Sequence, residues 1–431
     1  VTRGGSYGPG DSGRLWEVGP TKMISKGLGG QPANGRSYLP QLDGDSAHTS
    51  PKCVAFISDA SNLVKGDTNG AADAFVAQVS SGKIERVSLN SNGDQLNGPT
   101  TEVSIDGACE RVAFTSEATN AALTKAKEPN WKTAVTGKGR GKKVYVRILD
   151  GEGLDKTFVG LTFLASNRSG ECGQPSFGRS GKTVAFACGG ETTLQAVDGT
   201  PEQVIKGQIY AKTFYRYFDH IDGKGYQLLD IGLVKISKGN GKAYKPSTSD
   251  NGEYIAYVTE ASNAFSSPSD TNGAPDVVKT ESRVKHKVPV KPESTIAVSQ
   301  SRCDGDASCA GLANAGSDNP AISDAGEFVL FDSLSTNLRP APAVKPDPDN
   351  FRDIFLWNEG KSSGKFGLNA SLESRDSAND HVVDGDAWMP ATSSRGNYVP
   401  FQSSSPLFDK ALNGAPLQFG PQIFMRYLGG K

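Results

Sequence analysis

The stretch that decides the fold is residues 54–79, VAFISDASNLVKGDTNGAADAFVAQV. It contains two runs typical of β-strands, residues 54–57 and 74–77, and a polar loop separates them. The first run returns further along the chain, so the sequence carries six copies of one unit. The other copies begin at Val112, Val184, Ile255, Val329 and Val399.

Each copy brings the same neighbours. A Gly turn precedes the run, as in SDNGEYIAY and SDAGEFVLF, and a strand with aromatic and β-branched residues follows it, as in KVYVRIL and DIFLWNE. A proline lies upstream in four copies, at Pro175, Pro246, Pro320 and Pro390. A unit of three or four short strands cannot bury both faces of its sheet alone, whereas sheets stacked radially can. The repeat therefore predicts an all-β fold, a six-bladed β-propeller.

Composition and charge agree with this fold and narrow the function classes. The chain has 431 residues with 51 Gly and 24 Pro, which suits many short strands joined by turns. A net charge of −1 predicts no general electrostatic attraction to nucleic acid. No apolar run approaches the roughly 18–20 residues that a membrane span needs, so we expect a soluble chain.

The two ends of the sequence predict how the ring closes. Residues 20–35 share the spacing of their Ser, Gly and Asn residues with the tail of the first unit, and QIFMRYL near the C-terminus supplies a second strand without a third. We expect residues 21–25 to pair with 423–427, because this pairing covers a sheet edge. Residues 1–19 would be a flexible or peripheral arm, and 20–431 a single propeller. The alternative is a longer N-terminal arm without a closing strand.

Six cysteines indicate disulfide bonds and an oxidising compartment. Cys303 and Cys309 flank a short insertion, and Cys172 and Cys188 lie on either side of one turn. Cys53 and Cys109 remain, at nearly the same position of adjacent units. The pairings predicted are therefore Cys53–Cys109, Cys172–Cys188 and Cys303–Cys309, and the absence of a Cys-x-x-Cys spacing argues against zinc.

The polar loop repeats a pattern of side-chain oxygens at positions i, i+2 and i+6. Ca²⁺ takes about six to eight oxygen ligands in a flexible cage, which backbone carbonyls and water would complete here. The alternative is an Asx turn, in which Asp and Asn bond their own backbone. We predict structural calcium with one candidate site in each of three loops: Asp67, Asn69 and Asp73; Asp270, Asn272 and Asp276; and Asp347, Asp349 and Asp353.

The segment GDTNGAADAFV, followed by SNGDQLNG and SIDGACERVAFTSEATN, resembles the repeats of bacterial secreted TolB-like β-propellers, also described as PD40 or WD40-like repeats. The resemblance covers about residues 20–428. It implies four-stranded blades around a central channel. It also implies that the protein acts outside the cytoplasm, in the periplasm or extracellularly, as a platform for interactions.

Two function hypotheses follow. The first is a secreted or periplasmic, calcium-stabilised, non-catalytic scaffold that binds a protein or glycan at its loop faces and can assemble into larger extracellular structures. The second is an extracellular hydrolase or polysaccharide lyase at the channel mouth. A catalytic site would centre on His381, beside Asp380, Asp384 and Asp386, since the sequence contains no Gly-x-Ser-x-Gly elbow. The other histidines, His48, His220 and His286, occupy unrelated positions of the repeat.

Overall fold

The protein consists of β-structure in the part of the chain that the structure describes. The structure is a computed structural model, and it describes residues 23–43, 52–121, 141–149, 160, 162–166, 171–189, 192–195, 201–204, 207–219, 225–282, 284–285, 288–289, 294–300, 311–338, 351–359, 371–372, 385–392, 398–405 and 422–427. A short 3-10 turn at Leu28–Gly30 is the helical element among these residues. No helix within these ranges has the length and apolar character that crossing a membrane requires.

Six antiparallel sheets of three or four strands follow one another along these residues. Sheet 1 contains β1 (Ser37–Leu42), β2 (Cys53–Ser58), β3 (Asp73–Gln78) and β4 (Ile84–Arg86). Sheet 2 contains β5 (Thr100–Ile105), β6 (Arg111–Ser116), β7 (Lys143–Ile148) and β8 (Thr162–Leu164). Sheet 3 contains β9 (Glu171–Phe177), β10 (Thr183–Gly189), β13 (Gln208–Asp219) and β14 (Gly225–Lys235), with the hairpin of β11 (Thr192–Gln195) and β12 (Pro201–Val204) between β10 and β13.

The second half of the chain repeats this order. Sheet 4 contains β15 (Ala243–Thr248), β16 (Tyr254–Thr259), β17 (Asp276–Glu281) and β20 (Thr295–Ala297), with the hairpin of β18 (Val284–Lys285) and β19 (Val288–Pro289). Sheet 5 contains β21 (Ser317–Ile322), β22 (Phe328–Ser333), β23 (Asp353–Asn358) and β24 (Ser371–Leu372). Sheet 6 contains β25 (Ala387–Trp388), β26 (Tyr398–Ser403) and β27 (Gln422–Tyr427).

The second strands hold the core. Every residue of β2 and β6 is buried, so the apolar run at the centre of each strand is covered on both faces. Within sheet 1, the Phe56 ring stacks on the Phe75 ring with centroids 5.7 Å apart. The equivalent aromatic pair of sheet 5 has the same separation of 5.7 Å. The repeated apolar run of the sequence is therefore the repeated core of the protein.

The sheets pack in succession, and we call the first strand of each sheet its inner strand. The inner strand β5 contacts β1, β2 and β3, and β9 contacts β5, β6 and β7 in the same way. Likewise β15 packs on β9, β10 and β13, and β21 packs on β15, β16 and β17. Neighbouring inner strands from β1 to β21 thus touch one another. The all-β fold of successive sheets is confirmed.

Closure of the six-bladed ring remains a prediction. Its expected strand pairing depends in part on residues 21 and 22, which fall outside the described ranges. Residues 26–35, in contrast, reproduce the connector between sheets 1 and 2. Lys26 forms a bridge with Pro32 as Leu89 does with Gln95. The N-terminal segment therefore occupies the place that the repeat alignment predicts for a connector.

The turns that follow the inner strands contact turns of other sheets. The Gly107 nitrogen donates to the Arg179 carbonyl at 2.7 Å, and the Asp250 nitrogen donates to the Asp324 carbonyl at 3.0 Å. The Arg179 guanidinium lies 2.8 Å from an Asp324 oxygen and also donates to the Thr392 carbonyl at 3.4 Å. Arg179 of sheet 3 thereby joins turns of sheets 5 and 6. Sheets that lay in one extended row could not bring these turns together.

A buried acid in the first of these turns predicts a pH effect on stability. Asp106 accepts a hydrogen bond from the Glu110 nitrogen at 2.8 Å and lies 3.7 Å from Arg111. Burial raises the pKa of Asp106 to about 6, although Arg111 opposes the shift. Between its ordinary pKa and about 6, the folded state holds the proton more tightly than the unfolded chain does. This contribution to the free energy of unfolding therefore falls as pH rises through that window, by about 3 kcal/mol in total.

Denaturant unfolding at several pH values tests this expectation. The Asp106→Asn variant cannot titrate at this position, so its free energy of unfolding should fall less steeply than that of the wild type from about pH 4 to pH 6. Only the difference between the two slopes is diagnostic, because the substitution also changes the pairing of Arg111. Parallel pH profiles would show that Asp106 titrates normally.

Two of the three expected disulfide bonds are present. Cys53 of β2 is bonded to Cys109 in the turn before β6, with Cα atoms 6.3 Å apart, so this bond links sheets 1 and 2. Cys172 and Cys188 face each other across β9 and β10 and are bonded within sheet 3. Cys303 and Cys309 lie outside the described residues, and their pairing stays a prediction.

A repeated asparagine clamp holds the connectors between sheets. The Asn97 side chain accepts a hydrogen bond from the Thr119 nitrogen at 2.9 Å and donates to the Thr119 hydroxyl at 2.8 Å. Asn120 returns the contact, accepting from the Asn97 nitrogen at 2.9 Å and donating to the Gln95 carbonyl at 2.8 Å. The same clamp is formed by Asn34 with Ser61 and Asn62, and by Asn314 with Thr336 and Asn337. The recurring Ser/Thr-Asn pair after the second strand therefore fixes the connectors.

Candidate functional site

The first polar loop lies between β2 and β3 and folds as the sequence pattern predicts. Asp73 is the first residue of β3 and is fully buried, and the Ser88 hydroxyl donates to its Oδ1 at 2.6 Å. The Asn69 oxygen accepts from the Ala71 nitrogen at 3.0 Å, which closes an Asx turn. The Asn69 side-chain nitrogen donates to the Leu96 carbonyl at 2.9 Å, so this loop is tied to the connector between sheets.

Two side chains that the sequence pattern did not indicate lie between the carboxylates of this loop. The Arg86 guanidinium is 3.4 Å from both Asp67 Oδ1 and Asp73 Oδ2. Gln95 donates to the same two oxygens at 2.9 and 3.1 Å. The Arg86 and Asp67 side chains are only 9% and 5% exposed. The first loop thus already contains a buried cation supplied by the chain.

The second polar loop, between β16 and β17, repeats the backbone and hydroxyl contacts of the first. The Asn272 oxygen accepts from the Ala274 nitrogen at 2.7 Å, and its side-chain nitrogen donates to the Ala313 carbonyl at 2.7 Å. Asp276 begins β17, and the Ser299 hydroxyl donates to its Oδ1 at 2.9 Å. Asp270 accepts from the Asn272 nitrogen at 3.3 Å. Both loops therefore present two carboxylates and one amide oxygen in one framework.

The two loops differ at the positions that neutralise the carboxylates. The serines after β4 and β20 are equivalent, because each donates to the Asp that begins the third strand. This equivalence aligns Arg86 with Ala297. The bridge of Leu89 with Gln95 corresponds to that of Gln300 with Leu312, so Gln95 aligns with Leu312. The second loop therefore has aliphatic side chains where the first has a guanidinium and an amide.

This difference leaves one carboxylate oxygen of the second loop without a hydrogen-bond partner in the described structure. Asp276 is 1% exposed, and its Oδ2 atom is buried with no hydrogen-bond partner within the described residues. Burial raises the pKa of Asp276 to about 7, and the nearby Asp270 charge adds to the shift. Burial also raises the pKa of Asp73, but Ser88, Gln95 and Arg86 oppose that rise. In the described part of the chain, no three His, Cys, Asp or Glu side chains come together, so a cation here would also need amide, carbonyl or water oxygens.

The third predicted loop is described only at its last residue. Asp353 is buried at the start of β23, whereas Asp347 and Asp349 lie outside the described ranges. Sheets 2 and 3 have Lys143 and Gln208 at the position of Asp73, and the Ser237 hydroxyl donates to Gln208 Oε1 at 2.7 Å. The hydroxyl contact is thus kept in a sheet that lacks the acidic pattern.

The inner strands share an unusual backbone conformation. In five of the six sheets, one residue just before a proline lies in the left-handed region, with φ between 49° and 55°. In four of these sheets the pairing register with the second strand shifts beside it, which marks a β-bulge. The residues are Leu39, Gln174, Lys245, Asn319 and Met389.

Side chains of the preceding sheet hold these bulges. The Gln174 nitrogen donates to Glu102 Oε2 at 2.7 Å, and the Lys245 nitrogen donates to Gln174 Oε1 at 2.7 Å. Lys245 Nζ in turn lies 2.6 Å from Asp318. The polar side chains of the inner strands are therefore engaged with one another from sheet 2 to sheet 5.

A buried acid holds the left-handed residue of sheet 6. Asp332 is fully buried and accepts hydrogen bonds from the Asn319 side chain at 2.7 Å and from the Met389 nitrogen at 3.0 Å. It also accepts from the Arg352 guanidinium. These contacts fix the backbone at Met389 while its side chain points away from the core, 54% exposed.

Apolar side chains are exposed on the inner strands of the first and last sheets. Leu39, Leu42 and Met389 are 43%, 62% and 54% exposed. Leu39 and Met389 hold equivalent positions, each directly before a proline in a left-handed conformation. The inner-strand side chains of sheets 2 to 5 described above are polar, in contrast. Closure of the ring, which remains a prediction, would place sheets 1 and 6 side by side, and we call Leu39, Leu42 and Met389 together the apolar inner-strand patch.

The residues considered for catalysis are mostly outside the described part of the chain. This applies to all four histidines and to Asp380 and Asp384. Asp386 is described, and its Oδ1 accepts a hydrogen bond from the Arg352 nitrogen at 2.8 Å. Asp386 therefore lies directly before β25 and holds the backbone of Arg352, directly before β23 of sheet 5. That His381 lies close to it stays a prediction.

The fold resembles solved structures at low sequence identity. TolB from Acinetobacter baumannii is 12% identical with a TM-score of 0.33, and the match covers 78% of this chain and 58% of that chain. An oligogalacturonate lyase from Vibrio parahaemolyticus is 9% identical with a TM-score of 0.36, covering 92% and 91%. A puromycin-hydrolyzing peptidase from Mycobacterium tuberculosis is 11% identical with a TM-score of 0.40, covering 89% and 47%. Neither a protein-family model nor a curated protein matches the sequence.

Proposed function

We propose that this protein is an extracytoplasmic binding module that holds a protein partner on its inner strands. The observation that supports this proposal is the exposure of the three side chains of the apolar inner-strand patch, which ring closure would bring onto one surface. Leu39 and Leu42 of β1 and Met389, directly after β25, expose large apolar side chains, and a contiguous exposed group of such side chains marks an interaction site. Covering such side chains with a partner removes apolar surface from water, which favours association.

The backbone around the patch is fixed before a partner arrives. Met389 is hydrogen-bonded to the buried Asp332, and both Leu39 and Met389 are followed by prolines. A partner would therefore not have to order this backbone, which lowers the entropic cost of binding. Methionine also adapts its shape to different apolar groups. A protein segment with an aliphatic or aromatic anchor fits these properties better than a polar glycan does.

The disulfide bonds support the location. Cys53–Cys109 joins β2 to the turn before β6, Cys172–Cys188 joins β9 to β10, and such bonds persist in oxidising compartments. A secreted or periplasmic setting also suits a binding surface that is exposed to other proteins. The proposal therefore combines a rigid disulfide-linked scaffold with a local apolar binding surface.

Selection of peptides by phage display tests this proposal. A random heptapeptide library, panned on the oxidised full-length protein, should yield peptides with apolar anchors. The double variant Leu42→Ser/Met389→Ser should bind these peptides at least about tenfold more weakly, since burying one such side chain contributes about 1.5–3 kcal/mol. Fluorescence anisotropy with a labelled peptide measures the change.

The matched control is Leu28→Ser, because Leu28 is 49% exposed but lies in the N-terminal connector and not on an inner strand. This variant should bind the selected peptides like the wild type. Equal affinity of the Leu42→Ser/Met389→Ser protein would contradict the proposal. Failure to select peptides, together with binding on a glycan array, would instead favour a glycan partner.

A further inference from the structure

We propose that the second polar loop binds one Ca²⁺ through Asp270, Asn272 and Asp276, and that Arg86 takes the place of such an ion in the first loop. This inference is independent of the partner-binding surface. It depends on a comparison between two loops of the same chain that share one framework but differ in charge. The loops differ at the two positions occupied by Arg86 and Gln95 in the first loop.

The buried acid is the first reason. A buried carboxylate oxygen without a partner costs folding free energy, and two neighbouring acids add repulsion to that cost. In the first loop, Asp73 Oδ2 accepts from Gln95 at 3.1 Å and lies 3.4 Å from Arg86. The corresponding Asp276 lacks both contacts, and its Oδ2 is buried without a hydrogen-bond partner in the described structure. A bound cation would supply what the chain supplies in the first loop.

The replacement of Arg86 and Gln95 is the second reason. Ala297 and Leu312 stand at these positions beside the second loop, and neither side chain can donate a hydrogen bond or carry a charge. If this loop were only an Asx turn, Asp270 and Asp276 would gain nothing from lying together without a cation, which Arg86 supplies in the first loop. The same acids are a net advantage when a divalent cation lies between them.

The donor set indicates Ca²⁺ among common cations. Two carboxylates, one amide oxygen with a second lone pair and nearby backbone carbonyls offer oxygen donors only. Soft or nitrogen-seeking metals prefer Cys and His, and neither lies in this loop. Mg²⁺ requires near-octahedral geometry, whereas Ca²⁺ accepts an irregular cage completed by water. The site is structural, because it lies between two strands of one sheet and the connector to the next.

Calcium titration of the oxidised full-length protein tests the proposal after treatment with a chelator. We expect CaCl2 at about 100 times its Kd to raise Tm by about 4 °C, and MgCl2 to have a smaller effect. Isothermal titration calorimetry should show that Asp270→Asn loses one equivalent of bound calcium. Asp67→Asn is the matched control, since it alters the same motif in the first loop and should keep the full calcium response.

A charge-swap variant gives the sharpest test. Ala297→Arg/Leu312→Gln copies the first loop into the second, so it should raise Tm without calcium and abolish the calcium equivalent that Asp270→Asn also loses. The reciprocal Arg86→Ala/Gln95→Leu should gain one equivalent. If the swap variant does not fold, the comparison of Asp270→Asn with Asp67→Asn still decides. No calcium binding by the wild type, or binding that Asp270→Asn retains, overturns the proposal.

Discussion

Replacing Cys53 and Cys109 together with alanine is expected to lower the free energy of unfolding by about 4 kcal/mol. The two cysteines are separated by 56 residues, and the bond restricts the unfolded chain over that whole loop. The bond also joins sheets 1 and 2, so its loss weakens a contact between two sheets. Guanidinium unfolding of the oxidised wild type and the double variant measures the difference.

The second disulfide provides the comparison. Cys172 and Cys188 are only 16 residues apart, so the same entropy argument gives about 3 kcal/mol for their double replacement by alanine. Both cysteines also belong to adjacent strands that remain hydrogen-bonded without the bond. A larger loss for this pair than for Cys53–Cys109 would show that local strand pairing, and not restriction of the unfolded chain, determines the effect.

The repeated strands and the Cys53–Cys109 bond could be predicted from the sequence for one physical reason. Repeats place equivalent residues at equivalent positions in space, so an alignment of units is also an alignment of structure. Cys53 and Cys109 precede the same apolar run in adjacent units, and adjacent units became adjacent sheets. The strands themselves follow from runs such as 54–57, whose residues are buried on both faces.

The metal loops could be predicted only in part. Spacing within a loop shows which oxygens it offers, but the group that neutralises them can come from another strand. Arg86 reaches the first loop because β4 pairs with β3 in a register that sets Arg86 opposite Phe75. The sequence shows this difference only when position 86 is compared with position 297. That comparison requires the two sheets to be aligned by Ser88 and Ser299.

The inner-strand bulges show a local rule overridden by packing. The residue before a proline normally adopts an extended conformation with negative φ. Gln174 instead has φ of 55°, and its nitrogen donates to Glu102 of the preceding sheet at 2.7 Å. Prolines at these positions are visible in the sequence, but the left-handed residue before each one follows from contacts between sheets. Sequence patterns within one unit do not contain that information.

A second large effect is expected at Lys279, which is a buried lysine between sheets 4 and 5. Its Nζ donates to the Gly326 carbonyl at 2.9 Å and lies 3.3 Å from Glu359. The same ammonium lies 4.5 Å from the ring centroid of Tyr254 and 4.8 Å from that of Trp357. The side chain is 3% exposed, so these contacts replace water almost completely. Lys279 therefore joins the two sheets through charge, hydrogen bonding and aromatic contacts.

Lys279→Ala should lower the free energy of unfolding by about 3 kcal/mol, because it removes a buried charge partner, a hydrogen bond and two cation–π contacts. Lys279→Met keeps the aliphatic stem and should lose only part of this amount, which separates packing from charge. The matched control is Lys242→Ala, since Lys242 is 63% exposed and lies 3.9 Å from Glu260. That variant should stay within about 0.5 kcal/mol of the wild type in denaturant unfolding. Equal stability of Lys279→Ala and the wild type would contradict this expectation. It would mean that the buried ammonium contributes no net free energy to the packing of sheets 4 and 5.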